Sequence, residues 1–207
     1  MDEVTWRGAT VVWARASDVP ELSTEDLAAM GQGQLARFRE LTGARAAGFL
    51  AGRALIRELV LRLGGGPYVP LDSVCARCGE HHAAPRTPGF VLSVSHAEDL
   101  VVVAAAQGRE PLGVDVEHDT AALRVAELAP LFSAASAPDL AGWTRIEAAV
   151  KADGRGIVID PGDVRLRPEP AAVEPAEWTA MLPGRASPLQ VATLPGPTGY
   201  TLSAARG

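Results

Sequence analysis

The sequence predicts an α+β fold: a pseudo-dimer of two similar halves, residues 1–110 and 111–207, each an antiparallel sheet packed against a long helix. The order strand, helices, antiparallel strands occurs once in each half. With 207 residues and 47% hydrophobic side chains, the chain can bury a sizeable core. A single small α+β domain is the simpler alternative. In the duplicated arrangement, a ligand cleft is expected where the halves meet.

The first half is predicted to hold a strand, three helices and a strand hairpin. Ser23 followed by Asp26 is typical of a capped helix start. Apolar residues at three- and four-residue steps predict a long helix that ends at Gly64. In chain order, the predicted elements are a strand at 9–14, helices at 23–30, 34–41 and 44–63, and strands at 90–95 and 100–106 joined by a turn at 96–99.

The second half begins with the segment PLGVDVE at 111–117, whose alternation predicts a strand. Asp115 and Glu117 would project from one face, and Val114 and Val116 from the other. Two carboxylates on one strand face repel each other unless a cation lies between them. The alternative is a strand that enters a loop with its solvated face outward.

The stretch 142–157, GWTRIEAAVKADGRGI, predicts a helix with functional side chains. Trp143, Glu147 and Lys151 are four residues apart and therefore share a face. If the preceding strand ends at this helix, Glu147 adds a third carboxylate, and three oxygen ligands with room for water and phosphate suit Mg²⁺. The other elements predicted in this half are a helix at 119–136 and strands at 163–166, 189–194 and 200–204.

The charge distribution limits the classes of partner. A formal net charge of −6 argues against general nucleic-acid binding. Residues 34–64 nevertheless carry six arginines against two acids, a local balance of +4. Within this basic stretch Arg53 and Arg57 form an i, i+4 pair that could clamp a polyanion or meet an acidic partner. A solvated helix face is the alternative.

The sequence favours a cytoplasmic protein that does not associate with membranes. No secretory leader is recognisable, and no apolar run reaches the roughly 18 residues that a spanning helix needs. Cys75 and Cys78 are too close in sequence to staple a fold. With His81 and His82 they have the spacing of a zinc knuckle. A turn with two free thiols is the alternative.

Three motifs in order carry a resemblance to a known family. They are SVSHAEDLVVVAAA at 93–106, PLGVDVE at 111–117 and WTRIEAAVKADGRGI at 143–157, with FLAGRALIREL at 49–59 and CARCGEHH at 75–82 upstream. One such motif is weak, whereas three with sensible spacing are fairly specific. Together they resemble the phosphopantetheinyl transferases of the surfactin type, in the acyl-carrier-protein synthase superfamily.

The resemblance implies an enzyme that transfers 4′-phosphopantetheine from coenzyme A to a serine of an acyl or peptidyl carrier protein and releases 3′,5′-ADP. It implies Mg²⁺ held by Asp115, Glu117 and Glu147. Glu147 would also take the serine proton, directly or through water. Lys151 matches the lysine that reaches the phosphate and neutralises the leaving group.

The resemblance also implies how coenzyme A binds. His96 matches the histidine that hydrogen-bonds the coenzyme A phosphates, and Arg45, Arg53 and Arg57 lie where the family has basic residues for the 3′-phosphate of the nucleotide. An acidic carrier protein would find the same basic patch. The expected state is a monomer with coenzyme A and a carrier protein as partners, without nucleic acid.

The chain departs from the family pattern at three places. Ile146 stands where a lysine is usual, Ala84 stands where a basic residue is expected before Pro85, and the segment LFSAASAPDL at 131–140 reduces a Phe-Phe-x-x-x-Glu pattern. Two alternatives to the transferase follow. One is a homologue repurposed for other chemistry on a carrier- or coenzyme A-linked substrate, and the other is a non-catalytic protein that binds coenzyme A or a carrier.

Overall fold

The computed structural model describes residues 1–132, 137–170 and 175–207. Its secondary structure is 35% helical and 30% strand, with two antiparallel sheets packed against helices. The predicted α+β class is therefore confirmed. The chain divides into two compact units, Met1–Arg109 and Glu110–Gly207. No helix among the described residues is both long and apolar enough to cross a membrane.

The first unit has one four-stranded sheet and three α-helices. Its elements are β1 (Asp2–Trp6), β2 (Ala9–Arg15), α1 (Thr24–Met30), α2 (Gln32–Arg39), α3 (Gly43–Arg62), β3 (Phe90–Ala97) and β4 (Leu100–Gln107). The sheet order is β1-β2-β4-β3, and each neighbouring pair is antiparallel. Strand β1 was not predicted, because this edge strand is mostly exposed and has a weak hydrophobic pattern.

Local sequence signals explain the helices of this unit. The Ser23 side chain accepts a hydrogen bond from the backbone of Asp26, and the Asp26 carboxylate accepts one from the backbone of Ser23. This capping box forms the start of α1, where the sequence predicted a cap. Helix α3 contributes Ile56 and Leu59 to the core, and both are fully buried. It packs on β2, β3 and β4. The helix itself is as predicted, but residues 51–56 are all buried, so burial of α3 is not limited to one apolar face.

The predicted turn at 96–99 is wrong in its first two residues. Strand β3 continues to Ala97 and β4 begins at Leu100, so the turn consists of Glu98 and Asp99. Glu98 has a positive φ of 54°, the left-handed conformation that closes a two-residue hairpin. His96 is therefore a strand residue, paired with Val101 of β4.

The second unit has one five-stranded sheet and, among its described residues, two α-helices. Its elements are β5 (Leu112–His118), α4 (Ala122–Glu127), α5 (Leu140–Asp153), β6 (Arg165–Pro168), β7 (Glu177–Met181), β8 (Leu189–Leu194) and β9 (Tyr200–Arg206). The sheet order is β5-β9-β8-β7-β6, again antiparallel throughout. Helix α5 packs on β5, β9 and β8.

Two predictions for this unit need correction. The helix predicted at 119–136 is instead the short α4 followed by a 3-10 turn, Ala129–Leu131, that contains Pro130, because proline cannot continue an α-helical hydrogen-bond ladder. Residues 133–136 of that prediction, and the same part of the 131–140 motif, lie outside the described residues. Strand β6 starts at Arg165 rather than at 163, and β7 was not predicted.

The same order of strand, helix and strand hairpin occurs in each unit. In the first unit the chain runs β2, α3, β3, β4, and β4 lies between β2 and β3. In the second it runs β5, α5, later strands including β8 and β9, and β9 lies between β5 and β8. In each unit a helix follows the first of these strands and covers the sheet. The repeated order in the sequence therefore corresponds to a repeated strand–helix–hairpin arrangement.

Candidate functional site

The face of β5 that carries Asp115 and Glu117 meets helix α5. Gly113 belongs to the same face by the two-residue period of a strand. A Cβ atom at Gly113 would lie 2.0 Å from the carbonyl oxygen of Ala148 and 2.6 Å from the nitrogen of Ala152. Only glycine permits this approach. The missing side chain therefore brings the helix onto the strand and its side chains onto the two carboxylates.

Helix α5 begins at a defined cap and is anchored by polar contacts. Asp139 caps it by accepting a hydrogen bond of 2.7 Å from the backbone of Gly142. One turn on, the hydroxyls of Thr144 and Ser203 lie 2.8 Å apart and are fully buried. Ser203 of β9 is the cross-strand partner of Asp115. These hydroxyls hold the helix in register over the acidic strand.

The central contact of the site joins α5 to β5. Lys151 Nζ donates a hydrogen bond of 2.6 Å to Asp115 Oδ1. Asp115 is 5% exposed, whereas the Lys151 side chain retains 31% of its exposure. An ion pair that is this unevenly buried fixes the carboxylate, while part of the lysine side chain stays exposed to solvent.

The other two carboxylates, Glu147 and Glu117, both have raised pKa values. Burial raises the pKa of Glu147, and the negative charges of Asp115 and Glu117 raise it further, while Lys151 opposes them. Burial also raises the pKa of Glu117, as does Asp115. Arg124 partly offsets this through an ion pair of 3.4 Å with Glu117. The three predicted metal ligands are thus close enough for their charges to interact.

The donor set suits a hard divalent ion such as Mg²⁺. All three predicted ligands offer carboxylate oxygen, and their mutual repulsion would be relieved by a cation. Their oxygens are not drawn together tightly, however: among the described residues, the group whose donor atoms all lie within 4.8 Å is Cys75, Cys78 and His82. Asp115 Oδ1 instead accepts a hydrogen bond from Lys151 Nζ. A cation would compete with this ammonium for the carboxylate.

The histidine predicted to bind phosphate lies in the first unit. The His96 ring packs against α3, where its Nε2 is 3.2 Å from the carbonyl oxygen of Gly48. A Cβ at Gly48 would approach the ring to 3.3 Å, and one at Gly52 to 3.6 Å. Two glycines on one helix face therefore make the surface on which His96 rests. The residue remains exposed.

The three predicted arginines of the first unit have different environments. Arg53 is buried, its Nε donates 2.7 Å to Gln34 Oε1, and its guanidinium lies 4.2 Å from the ring centroid of Phe49. Burial lowers the pKa of Arg53 to about 10. Arg57 forms an ion pair of 3.0 Å with Asp26, and Arg45 is exposed. The expected Arg53–Arg57 clamp is thus engaged by separate protein groups.

Ile146 and Ala84, which differ from the pattern of the family that the sequence resembles, have opposite surroundings. Ile146 is 3% exposed and belongs to the apolar cluster beneath α5. Ala84 is exposed on a loop. A lysine at position 146 would therefore meet the core of this protein, because its neighbour Glu147 faces the polar cluster while Ile146 faces inward.

Sequence reasoning missed the residues that position the site. Gly113 was treated only as part of a strand, although glycine inside a strand is itself a signal of close backbone approach. The Thr144–Ser203 contact joins residues far apart in the sequence and left no local pattern. Arg124 was part of a predicted helix without a partner. These contacts join different segments of the chain, and the periodicity of one segment does not reveal them.

A scan against protein-family models finds no match to this chain, and a search of curated proteins finds none either.

Proposed function

We propose that this protein transfers the 4′-phosphopantetheine group of coenzyme A to a serine of an acyl or peptidyl carrier protein in the cytoplasm, with release of 3′,5′-ADP. One observation carries the proposal. Asp115 and Glu117 of β5 lie beside Glu147 and Lys151 of α5. Lys151 donates a hydrogen bond to Asp115, and the charges of these residues shift the pKa values of Glu147 and Glu117. This is the constellation that the resemblance implies.

The reaction needs a base for the serine hydroxyl. The serine oxygen would attack the β-phosphorus of the pyrophosphate, the bond from that phosphorus to the bridging oxygen would break, and 3′,5′-ADP would leave with the electron pair. Glu147 would receive the serine proton. In the metal-free protein, burial and the negative charges of Asp115 and Glu117 raise the pKa of Glu147, and a raised pKa favours proton acceptance by this carboxylate.

The remaining residues of the cluster would bind and neutralise charge. Asp115, Glu117 and Glu147 would hold Mg²⁺, which supplies positive charge against the pyrophosphate oxygens when bound. Lys151, whose side chain is partly exposed, would present its ammonium to the leaving phosphate. The present Lys151–Asp115 ion pair would then be the resting arrangement, in which the lysine stabilises the buried carboxylate.

The residues predicted to bind the coenzyme A phosphates differ in how exposed they are. Arg45 and His96 are both exposed, and each could donate hydrogen bonds to a phosphate. Arg53 is the weakest of the predicted nucleotide ligands because its guanidinium is buried against Gln34 and Phe49. Arg57 would have to exchange Asp26 for phosphate. We therefore give Arg45 the leading role at the 3′-phosphate.

Mass spectrometry of a panel of apo-carrier proteins, incubated with this protein, coenzyme A and Mg²⁺, tests the proposal. We expect a gain of the phosphopantetheine mass on at least one carrier and the appearance of 3′,5′-ADP. Glu147→Gln should abolish both products. Glu127→Gln, which removes the same charge from an exposed position of the same unit, should retain them. No modified carrier with the wild-type protein, or equal rates with Glu147→Gln, would contradict the proposal.

A further inference from the structure

A second cluster of ligand side chains lies in the loop between α3 and β3. The base of this loop is closed where Asp72 and Arg86 pair as an isolated antiparallel bridge and form an ion pair of 2.8 Å. Nearer its tip, the backbone of Cys75 donates to Glu80 and the backbone of Gly79 donates to Cys75, both at 2.8 Å. The loop at 72–86 is therefore a folded hairpin-like segment with a tight turn at its tip.

This turn brings together two thiols and an imidazole. The ligand atoms of Cys75, Cys78 and His82 all lie within 4.8 Å of one another, and His82 Nε2 is 3.0 Å from Cys78 Sγ. Hydrogen bonding from the backbone of Arg77 and Cys78 lowers the pKa of the Cys75 thiol. Gly79 has a φ of 81°, which lets the chain turn immediately after the second cysteine. The turn therefore brings the two sulfur atoms close to each other.

We propose that Cys75, Cys78 and His82 bind a zinc ion. Zinc takes thiolate ligands at about 2.3 Å and imidazole ligands at about 2.0–2.1 Å in a tetrahedron, which places the three ligand atoms roughly 3.5–3.8 Å apart. The observed separations of 3.0 Å and at most 4.8 Å bracket these values. Shifts of up to about 1 Å in the ligand atoms, made by side-chain rotation, would complete the geometry.

The chemistry of the donors selects the metal. Two sulfur ligands and one imidazole favour Zn²⁺ over Mg²⁺ or Ca²⁺, which prefer oxygen. Among the described residues no further cysteine, histidine or carboxylate joins this group, so the fourth position is taken by water or an incoming ligand. Cys78 and His82 are exposed, which leaves that position open to solvent.

The adjacent histidine is excluded from the site by its packing. The ring of His81 lies against α2, where a Cβ at Gly33 would overlap it at 2.3 Å. The four-ligand knuckle suggested by the Cys-x-x-Cys and His-His spacing is therefore reduced to three protein ligands. His81 and His82 consequently provide a matched pair: adjacent, chemically identical residues of which only His82 faces the thiols.

Zinc at this position would stabilise a segment that already contacts the helices. The Gln34 side chain donates to the carbonyl of Leu71 and to the hydroxyl of Ser73, at 3.1 and 3.2 Å, and accepts from Arg53. These buried contacts attach the start of the loop to α2 and α3. The metal would restrain the far end of the loop, so that both ends of the segment are held.

Metal analysis of the purified full-length chain tests this proposal without reference to any activity. We expect one zinc per chain after dialysis against a small excess of zinc. Replacement by Co²⁺ should give the visible bands of a tetrahedral site together with sulfur-to-cobalt charge transfer in the near ultraviolet. His82→Gln and Cys78→Ser should lower the zinc affinity at least tenfold, and His81→Gln should leave it unchanged.

Several results would overturn the proposal. One is a wild-type chain that, fully reduced, retains no zinc. Another is an equal loss of affinity in His81→Gln and His82→Gln. The third is a Cys75–Cys78 disulfide that persists under reducing conditions and blocks metal uptake. Circular dichroism of every variant keeps the test decisive, because a folded Cys78→Ser protein that binds zinc with wild-type affinity would exclude the thiolate site.

Discussion

The helix–sheet packing of the two units differs at equivalent places. Beneath α3, the cross-strand pair Val12 and Val103 joins an apolar cluster with the helix. Beneath α5, the cross-strand pair is Asp115 and Ser203, and the helix presents Lys151 to it. The same strand–helix–hairpin arrangement therefore has an apolar contact beneath the helix in the first unit and a charged contact at the equivalent place in the second.

The difference shows what the charged contact costs. Buried carboxylates destabilise a fold unless a cation compensates them, and the pKa values of Glu147 and Glu117 are both raised by burial and by like charge. The first unit shows that the arrangement does not require such groups. Its buried cation, Arg53, lies against an amide and an aromatic ring instead. The charges of Glu147 and Glu117 therefore lower the stability of the second unit where no cation compensates them.

The largest expected effect comes from removing the close approach of β5 and α5. Gly113→Val should destabilise the second unit by about 3 kcal/mol or more, because the new Cβ would overlap the helix backbone at 2.0 Å. Urea unfolding followed by circular dichroism measures this. Gly66→Ala, at a position with open space around it, is the control. Equal stability of the two variants would mean that the helix is not held against the strand at Gly113.

The next effect separates the apolar side of α5 from its charged side. Ile146→Lys, which introduces the residue usual in the family that the sequence resembles, should cost about 3–5 kcal/mol, because it removes a packed side chain and places an ammonium in an apolar cluster. Ala84→Lys, on an exposed loop, should change the free energy of unfolding by less than about 0.5 kcal/mol. Chemical denaturation of both variants checks this contrast. An undiminished Ile146→Lys protein would refute the inward orientation of this side chain.

A double-mutant cycle measures the Lys151–Asp115 contact. Lys151→Met should cost about 2–3 kcal/mol because it leaves the buried carboxylate without its cation. Adding Asp115→Asn should recover much of that loss, since the uncompensated charge is then absent. Additive effects of the two substitutions would show that the 2.6 Å contact contributes no coupling energy.

The smallest effect concerns pH. Because the pKa of Glu147 in the folded protein lies above the ordinary value of 4.5, its contribution to stability is complete below that value and is lost as the pH rises through the raised pKa. Glu147→Gln should therefore raise Tm at pH 8 by roughly 2–4 °C and leave it unchanged near pH 4. Thermal unfolding at the two pH values checks this. A lower Tm for Glu147→Gln at pH 8 would mean that the carboxylate stabilises the fold.

Local patterns were sufficient for much of this architecture. The Ser23–Asp26 cap, the long helix α3 and the alternation of β5 each depend on neighbouring residues, so the sequence alone predicted them. The edge strand β1, the break of the 119–136 helix near Pro130 and the extension of β3 through His96 were missed or misplaced. Their limits depend on strand pairing and solvent exposure, which residue spacing does not encode.

The candidate site follows the same division. Spacing predicted that Asp115 shares a face with Glu117, and that Glu147 shares one with Lys151, but not that Gly113 would bring the two faces together. Nor did it predict that Arg53 would be buried against Gln34 or that His81 would turn away from the thiols. Each of these depends on a contact between distant segments, which only the folded chain defines.

The effect of Mg²⁺ on Tm at pH 7.5 tests most directly whether the acidic cluster exists to bind a divalent cation. A ligand that binds only the folded chain raises Tm with its concentration. We expect millimolar Mg²⁺ to raise the Tm of the wild-type protein and of Glu127→Gln, and to have little effect on Glu147→Gln. An equal rise in all three proteins, or none in the wild type, would contradict the account.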